Sequence, residues 1–276
     1  MPLSATLKIA GYVAFYLLII SISAFLTAHF LSGNGFVVGA IVVFLLLPGV
    51  WYLYLISPAF DFSPDLVLRD REKTVALTFD DGPTPGFTDG VLDILHTFGV
   101  KATFFVIGKK LDTQGCLLVK RMLREGHEVG GHTVHHRKLH LLSLSEIEKE
   151  IAPVTKMVNG LYEETGVQNV KLFRAPHGFK SSRLKRYLKR SGLRLVPWTR
   201  GVWDTALPGS PWIFKHATES PKPNEIVLLH DGLGMVNPGE KQKNDLVEAL
   251  PQVIRFYREA GYEFVPVSKF VKPDEK

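Results

Sequence analysis

Hydrophobic positions in this chain follow two different patterns. From Ile9 to Phe60 there is no Asp, Glu, Lys or Arg. Within that run, Ile9–Leu31 and Phe36–Ile56 are each long enough to cross a bilayer core, for which about 20 apolar residues suffice. Ser32-Gly33-Asn34-Gly35 between them is turn chemistry. Trp51, Tyr52 and Tyr54 suit the aromatic belt at a membrane interface. The pattern predicts two transmembrane helices in a hairpin over residues 1–60, hence a multi-pass membrane segment. A cleaved signal peptide would explain Lys8 and the first apolar run, but not the second. Lys8, Arg69, Arg71 and Lys73 flank the hairpin on one side, and the positive-inside rule would keep the remainder in the cytoplasm. A single spanning segment acting as a signal anchor would place it outside, so the side stays open.

Residues 61–72, with Ser63-Pro64, read as a linker. After Lys73 the chain alternates short apolar runs with longer amphipathic ones. Strands are predicted at Thr74–Phe79, Ala102–Ile107, Glu128–Gly130, Val170–Phe173, Leu193–Pro197, Glu225–His230 and Glu263–Val267. Helices are predicted near Thr88–Phe98, Thr113–Glu125, Ser145–Tyr162, Ser181–Ser191 and Asp245–Glu259. Ser143-Leu144-Ser145-Glu146 has the capping-box spacing at the third of these. Such alternation argues for an α/β domain over residues 73–270, a mainly parallel sheet or barrel with helices outside.

Composition changes this picture little. The 276 residues carry a net charge of +6 and one cysteine, Cys116. That excludes an intramolecular disulfide framework and any cysteine-rich zinc site. No basic tail with interleaved aromatics points to nucleic acid. Lys180–Arg194 holds seven Lys/Arg and no acid. With Leu184, Tyr187 and Leu188 at helical spacing, it reads as an outer helix with a solvated basic face.

The candidate chemistry lies where predicted strands end. Thr78-Phe79-Asp80-Asp81-Gly82-Pro83 closes the first strand with two adjacent carboxylates and a Gly-Pro turn. Two anions this close repel unless a cation or a shared proton compensates. An Asp-Asp-Gly turn is also ordinary surface composition. His132 and His136, four apart in His127–His136, would share a face if that turn were helical. Two imidazoles and a carboxylate make an open zinc site. His127, His135 and His140 read as surface or supporting residues. Phe173–Gly178, Trp198–Asp204 and Ile226–Gly232 are further polar motifs, each following a predicted strand. In barrel folds catalytic groups gather from several strand ends at one face.

In their order and spacing these motifs resemble the polysaccharide deacetylase family, carbohydrate esterase family 4, whose catalytic unit is the NodB homology domain. Thr78–Pro83 resembles the family's first motif, His132-Thr133-x-x-His136 its second, Arg174-x-Pro176-x-Gly178 its third and Leu228-x-His230 its fifth. Ala102–Gly108 resembles a flanking segment. The resemblance covers about Lys73 to Val267. It implies a distorted (β/α) barrel with fewer than eight strands, and metal-dependent removal of N-acetyl groups from amino sugars. Asp81, His132 and His136 would bind the metal, zinc in most of the family. Asp80 would be general base, oriented by Arg174; His230 would be general acid, oriented by Asp204. The His177 backbone N–H would face the oxyanion, Leu228 the acetyl methyl, and Pro176 and Trp203 the sugar. Two positions depart from the family pattern: Gly201 replaces the first of two fourth-motif aspartates, and His177 stands where tyrosine is frequent.

The leading expectation is a membrane-anchored deacetylase of an N-acetylated glycan or glycolipid, with the lipid bilayer as its second partner. Removal of an acyl or formyl group from a lipid-linked sugar is the alternative reaction. A non-catalytic carbohydrate-binding membrane protein is the alternative class, and it would need neither Asp80 nor His230.

Overall fold

A computed structural model of the chain describes residues 72–206, 208–236 and 240–270, all within one compact unit that spans residues 57–276. The expected membrane hairpin and nearly all of the linker lie outside the described residues. Among the described residues no helix is long and apolar enough to cross a membrane.

The strands are β1 (Thr74–Asp80), β2 (Thr103–Val106), β3 (Glu128–Gly131), β4 (Leu172–Phe173), β5 (Arg194–Leu195), β6 (Arg200–Gly201), β7 (Glu225–His230) and β8 (Glu263–Phe264). The helices are α1 (Phe87–Thr97), α2 (Thr113–Arg124), α3 (Leu144–Thr165), α4 (Ser182–Ser191), α5 (Ser210–Thr218) and α6 (Glu240–Glu259). Every strand pairing is parallel. Seven strands run in the order β5-β4-β3-β2-β1-β7-β6, and β8 pairs with the start of β1. The seam between β5 and β6 stays unpaired, so the sheet curls as a barrel does without closing.

Alternation along β1 sets the two sides of the wall. Val75, Leu77 and Phe79 join the large cluster that the helices cover, with Val91, Leu92, Val119, Val154, Leu250 and Ile254. Ala76 points the other way. It meets Phe105 of β2, Leu172 of β4, Val196 beyond β5 and Ile226 of β7 in a separate interior cluster. Side chains from strands so far apart in the pairing order share one cluster only because the sheet curls. Each fully buried Leu, Phe or Val contributes about 1.5–3 kcal/mol. A third cluster joins α3 and α4 to Phe173 and Leu195.

Predicted and observed elements agree to within a few residues, with two additions. β6 and α5 were not anticipated, and the turn carrying His132 and His136 is not helical. Gly131 ends β3, His132 still donates its backbone N–H to Val106 O at 2.9 Å, and Thr133 then turns with φ 65°.

Candidate active site

The site is built at the carboxyl ends of the strands, where backbone carbonyls stop pairing and side chains converge. Asp80 is the last residue of β1 and, by the alternation above, shares the side of the wall with Ala76 and Thr78. Its neighbour would face the opposite side if the strand continued. Instead Asp81 has left-handed backbone, φ 72°, a region that Asp enters more readily than most residues. Both carboxylates therefore turn toward one place. Gly82 follows because nothing larger fits: a Cβ there would lie 2.1 Å from Asp231 Oδ2.

Asp81, His132 and His136 each bring one ligand atom within 4.8 Å of the others. His136 Nε2 lies 3.1 Å and His132 Nε2 3.5 Å from Asp81 Oδ1. The other nitrogen of His132, Nδ1, sits 2.8 Å from Arg174 O. A carbonyl only accepts, so Nδ1 carries hydrogen and a neutral His132 turns its Nε2 lone pair toward Asp81. Asp81 Oδ1 is buried and has no hydrogen bond. Lone pairs and a buried anion facing one another call for a cation between them. The donor set, two imidazole nitrogens and one carboxylate oxygen, is that of an open divalent-metal site. Burial alone would raise the Asp81 pKa; imidazoles that are protonated and donating would instead hold the carboxyl well below the ordinary range. Asp81 Oδ2 accepts the Gly234 N–H at 2.8 Å, and Lys110 Nζ donates to the Asp81 carbonyl at 2.8 Å.

Asp80 sits beside this triad, its Oδ2 3.8 Å from His132 Nε2. Its Oδ1 accepts from Arg174 Nη1 at 2.8 Å. Arg174 is 1% exposed, and such a charge is tolerable only when its donors are spent on acceptors. Nη1 also reaches Thr78 Oγ1, Nε reaches Val196 O and Nη2 reaches Pro197 O. The guanidinium lies 4.2 Å from the Phe105 ring centroid. Burial lowers the Arg174 pKa, and Asp80 works against that.

On another strand, His230 ends β7 beside Asp80 in the register. Its Nδ1 lies 2.7 Å from Asp204 Oδ1, and its backbone N–H donates to Asp204 Oδ2 at 2.8 Å. Burial pushes the imidazole pKa down, but the Asp204 carboxylate, with Asp81 and Asp80 beyond it, lifts it to about 9. His230 is therefore an imidazolium at neutral pH.

A family model described as polysaccharide deacetylase matches residues 68–196. A peptidoglycan-N-acetylglucosamine deacetylase of Bacillus cereus is 35% identical over 205 residues, covering 74% of this chain and 90% of that protein. This chain belongs to the polysaccharide deacetylase family. A chitooligosaccharide deacetylase of Sinorhizobium fredii is 33% identical over 192 residues, 68% of this chain and 87% of that one. Among solved structures, the Xyl-CE4 domain of a xylanase from the hindgut metagenome of Trinervitermes trinervoides superposes with a TM-score of 0.62 at 32% identity. That match covers 72% of this chain and 89% of the domain. Membership makes the chain a hydrolase of carbon–nitrogen amide bonds on carbohydrates, in a family that uses a metal.

Of the two departures from the family pattern, Gly201 lies in β6 paired with Leu228, and nothing in the structure explains the loss of the acid there. His177, with φ 58°, sets its ring 4.7 Å from that of His136, tilted at 60° to it. Burial, with His136 close by, lowers its pKa to about 4, so it faces the site as a neutral ring. Gly178 has φ 72° and no room for a Cβ, which would approach Trp198 to 2.5 Å. Leu228 is buried in β7, Pro176 is buried, and Trp203 is 73% exposed on left-handed backbone.

Sequence reasoning missed the residues that brace the site. Thr78 relays between Arg174 and Val227 O. Asp231, buried with Oδ1 unpaired, accepts from Thr88 Oγ1 at 2.6 Å. Asp231 stood within a motif, whereas Lys110 carried no local signal at all. His127 is corrected: it is buried just ahead of β3, accepting the Ala102 N–H, and does not brace the ligands.

Proposed function

We propose that this chain is a membrane-anchored, divalent-metal-dependent deacetylase that removes N-acetyl groups from the amino sugars of a glycan. One arrangement carries the reading. Three ligand atoms gather within 4.8 Å, flanked by a carboxylate held by Arg174 and an imidazole held by Asp204. The names of the relatives, peptidoglycan and chitooligosaccharide deacetylases, support an N-acetylated glycan as the substrate class. The uncharged run from Ile9 to Phe60 supports two membrane spans ahead of a catalytic domain at 73–270, and keeps a glycolipid substrate as the second form of this reading.

Asp81, His132 and His136 would hold the ion, and their nitrogen and oxygen donors suit zinc. When bound, it would polarise the acetamide carbonyl and acidify a water beside it. Asp80 has one oxygen committed to Arg174, so Oδ2 is the oxygen that takes the water's proton. The new C–O bond forms at the acyl carbon, and the oxyanion faces the backbone N–H of His177. An amide does not readily expel an unprotonated amine, so the leaving nitrogen needs a proton as the C–N bond breaks. His230 supplies it from Nε2, because Asp204 engages Nδ1. Leu228 lines the space for the acetyl methyl, with Pro176 and Trp203 against the sugar. Acetate and a free amino sugar leave.

Asp80→Asn is expected to lower acetate release from N-acetylglucosamine oligomers by about 10²-fold or more, with bound Zn2+ unchanged by metal analysis. Full activity in this variant would remove Asp80 from the mechanism. The anchoring is tested by a reporter fused to the carboxyl terminus. Protection on one side of the membrane is expected, with release of the full-length chain into the soluble fraction as the contrary result.

A further inference from the structure

The turn from His132 to His136 poses a physical problem that its own residues do not solve. Thr133 has φ 65° and His136 φ 56°. Left-handed backbone at non-glycine residues costs on the order of 1–3 kcal/mol each and persists only where the surroundings over-determine it. Inside the turn one bond helps, His136 N–H to Thr133 Oγ1 at 2.9 Å. From β2's end, Gly108 and Lys109 donate to Thr133 O and Val134 O at 2.9 and 3.1 Å. The Val134 N–H and both donors of His135 go to one residue of α3.

That residue is Glu150. It lies on the inward stripe of α3 with Ile147, Ile151 and Val154, and is 3% exposed. A carboxylate there costs several kcal/mol in desolvation unless its acceptor sites are used. They are used entirely on the turn. Oε2 accepts the His135 backbone N–H at 3.0 Å, and Oε1 lies 3.0 Å from His135 Nδ1, which must carry the hydrogen because a carboxylate only accepts. The Glu150 carbonyl accepts the Val134 N–H at 2.9 Å. Arg137 adds a weaker ion pair, Nη1 to Oε1 at 3.9 Å. The segment between the two imidazole ligands is thus bonded at Val134 and His135 to a single helical residue.

We infer that Glu150 is a positioning residue for the metal site: its carboxylate clamps the Thr133–His135 turn and so sets the distance and angle between His132 and His136. The inference rests on the reading of Asp81, His132 and His136 as ligands. It adds that α3, which contributes no ligand, decides how well the ligands are pre-arranged. Residues that orient metal ligands without touching the ion commonly change affinity by 10–100-fold when removed.

The test is Zn2+ affinity of the full-length chain by competition with a chromophoric chelator, at a temperature where far-UV circular dichroism shows each variant folded. Glu150→Ala is expected to weaken Zn2+ binding by about tenfold or more. Glu150→Gln keeps an acceptor for the His135 N–H and a partner for its ring, and is expected to restore affinity to within about threefold of wild type. His135→Ala removes only the ring half of the clamp at a half-exposed side chain, and is expected to fall between the two. Loss of thermal stability in Glu150→Ala with Zn2+ affinity within about twofold of wild type would make the role merely structural and overturn the inference. Glu150→Gln as weak as Glu150→Ala would overturn the hydrogen-bonded clamp. Should Glu150→Ala fail to fold, Glu150→Gln and His135→Ala decide: wild-type affinity in both overturns the inference, and a graded loss supports it. No Zn2+ binding by the wild-type chain would refute the metal-site reading itself, a different result from any of these.

Discussion

Asp81, His136 and His177 meet at the mouth of the sheet on left-handed backbone, with φ of 72°, 56° and 58°. None is glycine; Asp81 is held there by the Gly234 N–H and Lys110, and His136 by Thr133. The residue with the sharpest measurable signature is His230. Asp204 lifts its pKa from an ordinary 6.5 to about 9 against the opposing effect of burial. As the proposed proton donor His230 must start protonated, so the step assigned to it is favoured well below pH 9 and fails as pH rises through that value. In Asp204→Asn the largest lifting charge is gone, and burial is opposed only by Asp81 and Asp80. The alkaline limb of the pH–rate profile is expected to move down by about one unit or more, with the maximal rate reduced. An unmoved limb would assign it to another group.

At the scale of elements, α3 does more than cover the sheet. Ser143 caps it, accepting from the Glu146 N–H while Glu146 Oε2 accepts the Ser143 N–H at 2.9 Å. Ser-x-x-Glu spacing made that cap legible from the sequence. Ser143→Ala is expected to cost about 1 kcal/mol of stability, read as a lowered denaturation midpoint in urea at unchanged slope. The two elements that escaped prediction escaped for local reasons. β6 is Arg200-Gly201 alone, too short for any period to register. α5 opens Ser210-Pro211 after Gly209, residues that read as loop. Proline is nonetheless tolerated in a helix's first turn, where its missing N–H would have no partner. The His132–His136 turn is the opposite case. Its spacing of four fits a helix, but the pair is brought together by a strand end and two left-handed residues.

For the folded unit as a whole, one buried group far from the site couples stability to pH. His127 is 3% exposed, and burial, helped by Lys101, lowers its pKa from 6.5 to about 4. The unfolded chain therefore binds a proton between these values while the folded one does not. Stability that is complete above pH 6.5 falls as the pH drops toward 4, by about 3 kcal/mol from this residue. His127→Gln is expected to flatten the pH dependence of unfolding across that window relative to wild type, measured by urea titration at each pH. An equally steep variant would place the acid sensitivity elsewhere.

The sequence by itself determined what depends on neighbours along the chain. Alternation in β1 and β7, the capped helix at Ser143 and the polar residues that end each strand are local, and each motif carried its own chemistry into the resemblance. Tertiary structure decided what depends on which strands the curl brings face to face. In a flat sheet Arg174, at the end of β4, would stand three strands, about 14 Å, from Asp80 on β1. Curling the sheet closes that gap to a 2.8 Å ion pair, and the same closure brings the Val196 and Pro197 carbonyls to the other Arg174 donors. Glu150 and Lys110 reach the site from elements whose sequences give no hint of it. A buried charge is placed by the packing around it, and that packing exists only once the chain has folded.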